Sequence, residues 1–183
     1  MTGPYVALLR GINVGGRNKL PMRDLVAIFV DAGCTDVATY IQSGNVVFCA
    51  GAKLAAQIPG IISDSIAERL DLRVPVVIRS AAEFKQVIAC NPYLQLELDF
   101  TKLHVVFLAD RPTSAACDTL DPNRSPGDAY RIRGGEIYLH LPNGAAKTKL
   151  SNAYFDSKLG TVSTGRNWRT VLKLHELAEP LLT

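Results

Sequence analysis

Residues 41–48, IQSGNVVF, and residues 132–139, IRGGEIYL, carry one pattern: an apolar residue, a polar one, a small pair ending in glycine, then a polar residue and three apolar β-formers. Glycine supplies the positive φ of a tight hairpin, so each stretch reads as the turn and return strand of a hairpin. The matched apolar positions read as an internal duplication.

The flanks of the first copy extend this reading. YVALLR (5–10) is a continuous apolar run, a strand buried on both faces. After a glycine-rich loop, Pro21 suits a first helical turn, and MRDLVAIFVDAG places Leu25, Ile28, Phe29 and Ala32 on one stripe before Gly33 ends it. DVATYI and NVVFCA form the hairpin around Ser43 and Gly44. A helix follows from about residue 53 to 70, with Pro59 expected in or near its first turns, and then RVPVVIRS, where Pro75 argues for an edge strand. The order β-α-β-β-α-β is the split βαβ, or ferredoxin-like, unit.

The second copy has the same flanks: KLHVVFLA as a strand, a short helix over 113–120, AYRIR and EIYLHL around Gly134 and Gly135, a helix over 151–159 and a short strand near 161–163. Ser163 or Thr164 is expected to cap a last helix, GRNWRTVLKLHELAE, with Trp168, Val171, Leu174 and Leu177 at helical spacing. The expected fold class is therefore α+β, two ferredoxin-like halves by duplication plus a C-terminal helix. Residues 1–80 form the first half, 81–101 a helical linker, 102–164 the second half and 165–183 the closing helix.

Of the 183 residues, 48% are hydrophobic and 20% charged, as in folded globular proteins, and no low-complexity tract is present. The longest apolar runs fall far below the roughly 20 residues of a membrane helix, and residues 1–10 lack the features of a signal peptide. The reading is a cytoplasmic protein without a membrane partner. Cys34, Cys49, Cys90 and Cys117 form no C-x-x-C pair and read as reduced, buried thiols, with Cys117 the one arguable candidate for reactivity. His104, His140 and His175 are scattered, so neither a metal site nor a cofactor is expected. The net charge of +3 announces no partner, but Arg10, Arg17, Lys19 and Arg23 occur with no acid among residues 10–23. Six cations between residues 145 and 175 face only Asp156.

Three stretches, YVALLRGINVGGRNKLPM (5–22), YIQSGNVVF (40–48) and RNWRTV (166–171), resemble an uncharacterised bacterial family, the domain-of-unknown-function family 1697 (DUF1697), along nearly the whole chain. The resemblance implies a pair of ferredoxin-like halves. It supplies no reaction, substrate or catalytic residue, so function rests on the residues themselves.

In a ferredoxin-like half, the loop after strand one, the start of helix one and the turn between strands two and three share one rim of the sheet. That topology gathers Arg10, Asn13, Arg17 and Lys19 near Gln42, Ser43 and Asn45. Glycines and exposed N–H groups complete the ingredients of an anion site. The loop meets neither nucleotide fingerprint, G-x-G-x-x-G or G-x-x-x-x-G-K-[ST]. The competing reading is structural: glycines for a tight turn, Asn13 and Asn45 in left-handed positions and solvated cations. Arg166, Asn167 and Arg169 form a second candidate group, either a phosphate or carboxylate clamp with Trp168 as stacking wall, or a capped helix whose tryptophan fills a seam. The residues favour the seam. The expected function is an anion-binding module for a phosphorylated small molecule or nucleic acid. An oligomerising protein without a ligand, or an enzyme with Ser43, Asp24 or Asp71 in its site, are the alternatives.

Overall fold

The structure, a computed structural model, describes residues 2–16, 18–96 and 98–182. It divides into two units, Met1–Lys85 with Lys173–Thr183, and Gln86–Leu172. The first holds β1 (Thr2–Leu9), α1 (Met22–Asp31), β2 (Thr35–Tyr40), β3 (Asn45–Gly51), α2 (Ala52–Leu70) and β4 (Val76–Ser80), in an antiparallel sheet of order β2-β3-β1-β4. The second holds β5 (Leu103–Leu108), α4 (Ser114–Cys117), β6 (Ala129–Arg133), β7 (Glu136–His140), α5 (Asn152–Leu159) and β8 (Ser163–Asn167), in the order β6-β7-β5-β8. Helices α3 (Ala81–Ala89) and α6 (Trp168–Ala178) follow the fourth strand of each sheet. Both sheets are ferredoxin-like, and β4 lies at an edge, as Pro75 implies.

The duplication extends to the backbone register. The Leu9 N–H donates to Gly44 O at 2.8 Å and the Leu108 N–H to Gly135 O at 2.9 Å. On the other side, the Arg10 N–H donates to Pro75 O at 3.0 Å and the Ala109 N–H to Val162 O at 2.7 Å. Side chains repeat as well: Arg79 Nη1 donates to Ile78 O at 2.8 Å, and Arg166 Nη1 to Gly165 O at 2.7 Å. The helix after the fourth strand belongs to the repeat. Ser80 Oγ accepts the Glu83 N–H while the Glu83 carboxylate accepts the Ser80 N–H, a capping box. At the same register Asn167 Oδ1 accepts the Thr170 N–H at 2.8 Å.

Each core lies between a sheet and its own helices. Ala7, Leu9, Val46 and Phe48 pack with Leu25, Ile28 and Phe29 of α1 and with Ala55, Ile58, Ile62 and Ile66 of α2. The Phe29 and Phe48 rings are 5.2 Å apart, and truncating either to alanine costs roughly 3–5 kcal/mol. In the second unit Val106, Leu108, Ile137 and Leu139 pack with Phe155 and Leu159. Val6, Leu8, Val105 and Phe107, on the opposite faces, are also buried, which is why the first strands read as continuous apolar runs. On that face of the second unit, the Tyr138 hydroxyl donates to Val87 O at 2.9 Å. Burial and the carboxylate of Glu136 push the Tyr138 pKa up.

Several boundaries differ from those expected. Helix α2 is not among them: it spans Ala52–Leu70, close to the expected 53–70, and carries Pro59 inside it, where the apolar stripe of Ala55, Ile58, Ile62 and Ile66 holds the helix together across the lost N–H. The last strand is longer and later than residues 161–163, and α6 starts at Trp168, because Thr164 to Asn167 pair with β5 before Asn167 caps the helix. Helix α4 is a single turn, Ser114–Cys117, capped by the Thr113 hydroxyl. In the hairpin, Ile41 at φ 51° and Gly44 at φ 74° take the left-handed positions; Asn45 is already paired with Leu8 as strand. Only Cys34 of the four thiols is fully buried, and burial pushes it up to about 11.

Gly44 is the tightest turn residue: a Cβ placed there would stand 2.7 Å from Leu9 Cβ. Gly134 (φ 64°) meets nothing nearer than 3.6 Å. Gly44→Ala is expected to cost roughly 2–4 kcal/mol, left-handed strain plus overpacking, and Gly134→Ala about 1 kcal/mol, from strain alone. Urea denaturation of the two variants checks this; equal losses would show that the close approach carries no energy.

Candidate functional site

The first-half rim is built around the loop of residues 10–21. Ile12 and Leu20, each 1% exposed, anchor its two ends. Between them Asn13 (φ 54°) donates its N–H to Asn18 O at 3.0 Å, and Asn18 (φ 53°) donates Nδ2 to Gly11 O at 2.8 Å. The Asn13 side chain makes three further bonds at 2.9 Å: Oδ1 accepts the Leu20 N–H, and Nδ2 donates to Leu20 O and to Gln42 O. One carboxamide thus closes the loop and ties it to the β2–β3 turn. Asn45, fully buried, closes that turn by donating Nδ2 to Tyr40 O at 3.2 Å and to Ser43 Oγ at 2.8 Å.

The two distant polar segments therefore meet at one end of the sheet, and their residues divide by role. Asn13 and Asn45 hold the frame. Lys19 and Gln42 are exposed and line a hollow of about 570 Å³, together with Asn13, Gly16, Leu20, Pro21, Met22 and Arg23. Arg10 and Ser43 are half-buried and stand outside its lining. Arg17 lies outside the described residues. The start of α1 lies at the rim, where the sequence places it, and Arg23 is an addition that the sequence did not assign to the site.

That helix start is open. Pro21 occupies the N-cap and offers no side-chain acceptor; its carbonyl takes the Asp24 and Leu25 N–H groups at 3.0 and 3.1 Å. The N–H groups of Met22 and Arg23 have no partner among the described residues. Two orphan donors, the positive end of the helix dipole and two cations thus share one hollow. Arg23 also pairs with Asp24 at 3.2 Å, an exposed contact of little energetic weight.

The second half differs in its loop and in its cap. Its equivalent loop is short, residues 109–113, and Thr113 Oγ1 accepts the Ala116 N–H at 3.2 Å. The longer loop is peculiar to the first half.

The second candidate group does not form a two-arginine clamp. Arg166 Nη1 donates to Thr164 Oγ1 at 2.8 Å and to Gly165 O, and burial pulls its pKa down to about 10. Trp168 is 1% exposed, too enclosed to stack on a ligand. Asn167 and Arg169 are exposed and line a hollow of about 450 Å³ beside His104. Burial lowers the His104 pKa, with the Lys102 carbonyl partly opposing it. Among the described residues, no group of three or more His, Cys, Asp or Glu could hold a metal ion, and no helix is long and apolar enough to cross a membrane.

This architecture is a duplicated ferredoxin-like α+β protein with one modified rim. The chain belongs to the family described as "Protein of unknown function (DUF1697)", whose sequence model matches residues 1–138. A solved structure, that of the conserved bacterial protein SP0830 from Streptococcus pneumoniae, superposes with a TM-score of 0.71 and 22% sequence identity. The match covers 97% of this chain and 99% of that one, a likeness of fold. No curated protein matches the chain.

Asn13→Ala removes three side-chain bonds and leaves the Leu20 peptide without its partner, so a loss of about 2–3 kcal/mol is expected. Faster hydrogen exchange at the Leu20 amide should accompany it; unchanged exchange would show that the carboxamide does not hold the loop. His104 generates a pH dependence. Its folded pKa lies below the unfolded value of about 6.5, so the unfolded chain takes the proton first as pH falls. Stability is unaffected by this group above about pH 6.5 and declines below it, by at most about 1.4 kcal/mol per pH unit. His104→Gln should flatten that part of the stability profile, and parallel profiles for the two proteins would contradict it.

Proposed function

We propose that the first-half rim binds a phosphorylated small molecule in the cytoplasm, its phosphate seated at the start of α1 between Lys19 and Arg23, with Gln42 contributing an amide. The observation that carries this reading is the contrast between two copies of one scaffold. The second half has a short loop and a hydroxyl cap from Thr113, whereas the first has a longer, cationic loop over a helix start whose N-cap, Pro21, offers no side-chain acceptor. Backbone donors at a helix start suit phosphate oxygens, and cations offset the charge. The lining supplies donors and positive charge without a general base, which supports binding over turnover. Ile41 adds to the case: it is β-branched, 52% exposed and held at φ 51° in the turn beside Gln42, a conformation that costs of order 1–3 kcal/mol.

The test is a thermal-shift titration of the full chain with ATP, a sugar phosphate and pyrophosphate. A ligand present at 100 times its Kd adds about 2.7 kcal/mol. Lys19→Gln with Arg23→Gln is expected to weaken binding at least about tenfold, the loss of roughly 1.4 kcal/mol. Arg111→Gln, on the short loop of the second half, should leave it unchanged. No shift with any probe, or equal effects of the two sets of substitutions, would remove the proposal. A single-stranded oligonucleotide binding with a log-log salt slope near 0.7 per phosphate neutralised would assign the rim to nucleic acid instead.

A further inference from the structure

The hollow beside His104 lies wholly within the second unit and is independent of the rim. It holds about 450 Å³ and adjoins a second hollow of about 310 Å³, with which it shares His104, Ala145 and Asn167. That is within the usual range for small-molecule sites, as is a lining of apolar walls with few polar groups. Phe100 and Leu172 supply the walls and remain 53% and 39% exposed, large apolar side chains left in water at a concave surface.

The polar groups converge on one kind of ligand. Arg169 is exposed and has no hydrogen-bond or ion-pair partner among the described residues. Asn167 engages its Oδ1 with the Thr170 N–H, leaving Nδ2 as a donor. His104 Nδ1 is buried without a hydrogen-bond partner. Arg166 lines the adjoining hollow, but its guanidinium is already engaged by Thr164 and Gly165. One available guanidinium balances a monoanion, and its planar fork matches a carboxylate. A phosphate dianion would leave a charge unpaired.

We propose that this groove binds an aromatic carboxylate, its ring against Phe100 and Leu172 and its carboxylate on Arg169 and Asn167. The test is an amide NMR titration of the full chain with naphthalene-2-carboxylate. Saturable shifts are expected at Thr101, Gly144, Ala145, Asn167 and Arg169. Arg169→Gln, at an exposed position, should weaken binding about tenfold or more, while Arg169→Lys retains part of it. Phe100→Ala should weaken it by a smaller factor, and the neutral probe naphthalene-2-carboxamide should bind about as weakly as the carboxylate binds to Arg169→Gln. Equal binding of amide and carboxylate, an unchanged Kd in Arg169→Gln, or shifts confined to residues outside the groove would overturn the assignment.

Discussion

The close approach of the β2–β3 turn to the end of β1 is the constraint on which the rest of the first half depends. The Leu9 N–H bonds to Gly44 O, and the absent side chain of Gly44 lets that carbonyl reach the strand over Leu9 and Ile12. Pinned there, the turn presents Gln42 O to the Asn13 carboxamide. The loop can then project between Ile12 and Leu20 without collapsing onto the sheet. The frame of amides and the cations held over the start of α1 follow from this one contact. The same backbone bond recurs in the second half, between Leu108 and Gly135, where a short loop has nothing to support. The scaffold is shared; the elaboration belongs to one copy.

Much of the fold was legible in the sequence because its signals are local. The paired hairpin stretches, the apolar stripe of α1 and the continuous apolar character of β1 each report burial directly. The rest depended on tertiary balance. The expected span of α2 holds, although Pro59 by local rules favours a later start, because the buried isoleucines on either side outweigh one lost hydrogen bond. The sequence reads Gly165 to Asn167 as the start of the last helix, since pairing with β5 leaves little trace in a segment as short and polar as STGRN. The third helix of each repeat is legible as a helix, within residues 81–101 and from residue 165; their equivalence could have been found too, since S-x-x-E at residues 80–83 is a capping box in register with Asn167.

The site was legible in its neighbourhood and not in its roles. Topology alone brings residues 10–19 to residues 42–45. Which of them face the hollow depends on where each carboxamide finds its partners, and sequence does not encode that locally. Asn13 and Asn45 looked like candidate ligands because amides bind anions; they are occupied instead with Leu20, Gln42, Tyr40 and Ser43. Pro21 was the overlooked signal. Placed at the N-cap rather than inside the helix, it withholds the side-chain acceptor that Thr113 and Ser151 give their helices.

Duplication explains how such a division of labour is tolerated. Each half carries its own helix-covered core, so a change confined to one rim leaves the other half's packing untouched. Pro21 at the N-cap of α1 forgoes a side-chain acceptor worth about 1 kcal/mol, a loss that the Phe29–Phe48 contact and the isoleucine stripe of α2 absorb many times over. The strained φ of Ile41 adds a second local cost at the same end of the same sheet. Two unfavourable features gathered at one rim, on a scaffold whose other copy caps the equivalent helix, fit selection for an exposed surface better than they fit selection for stability.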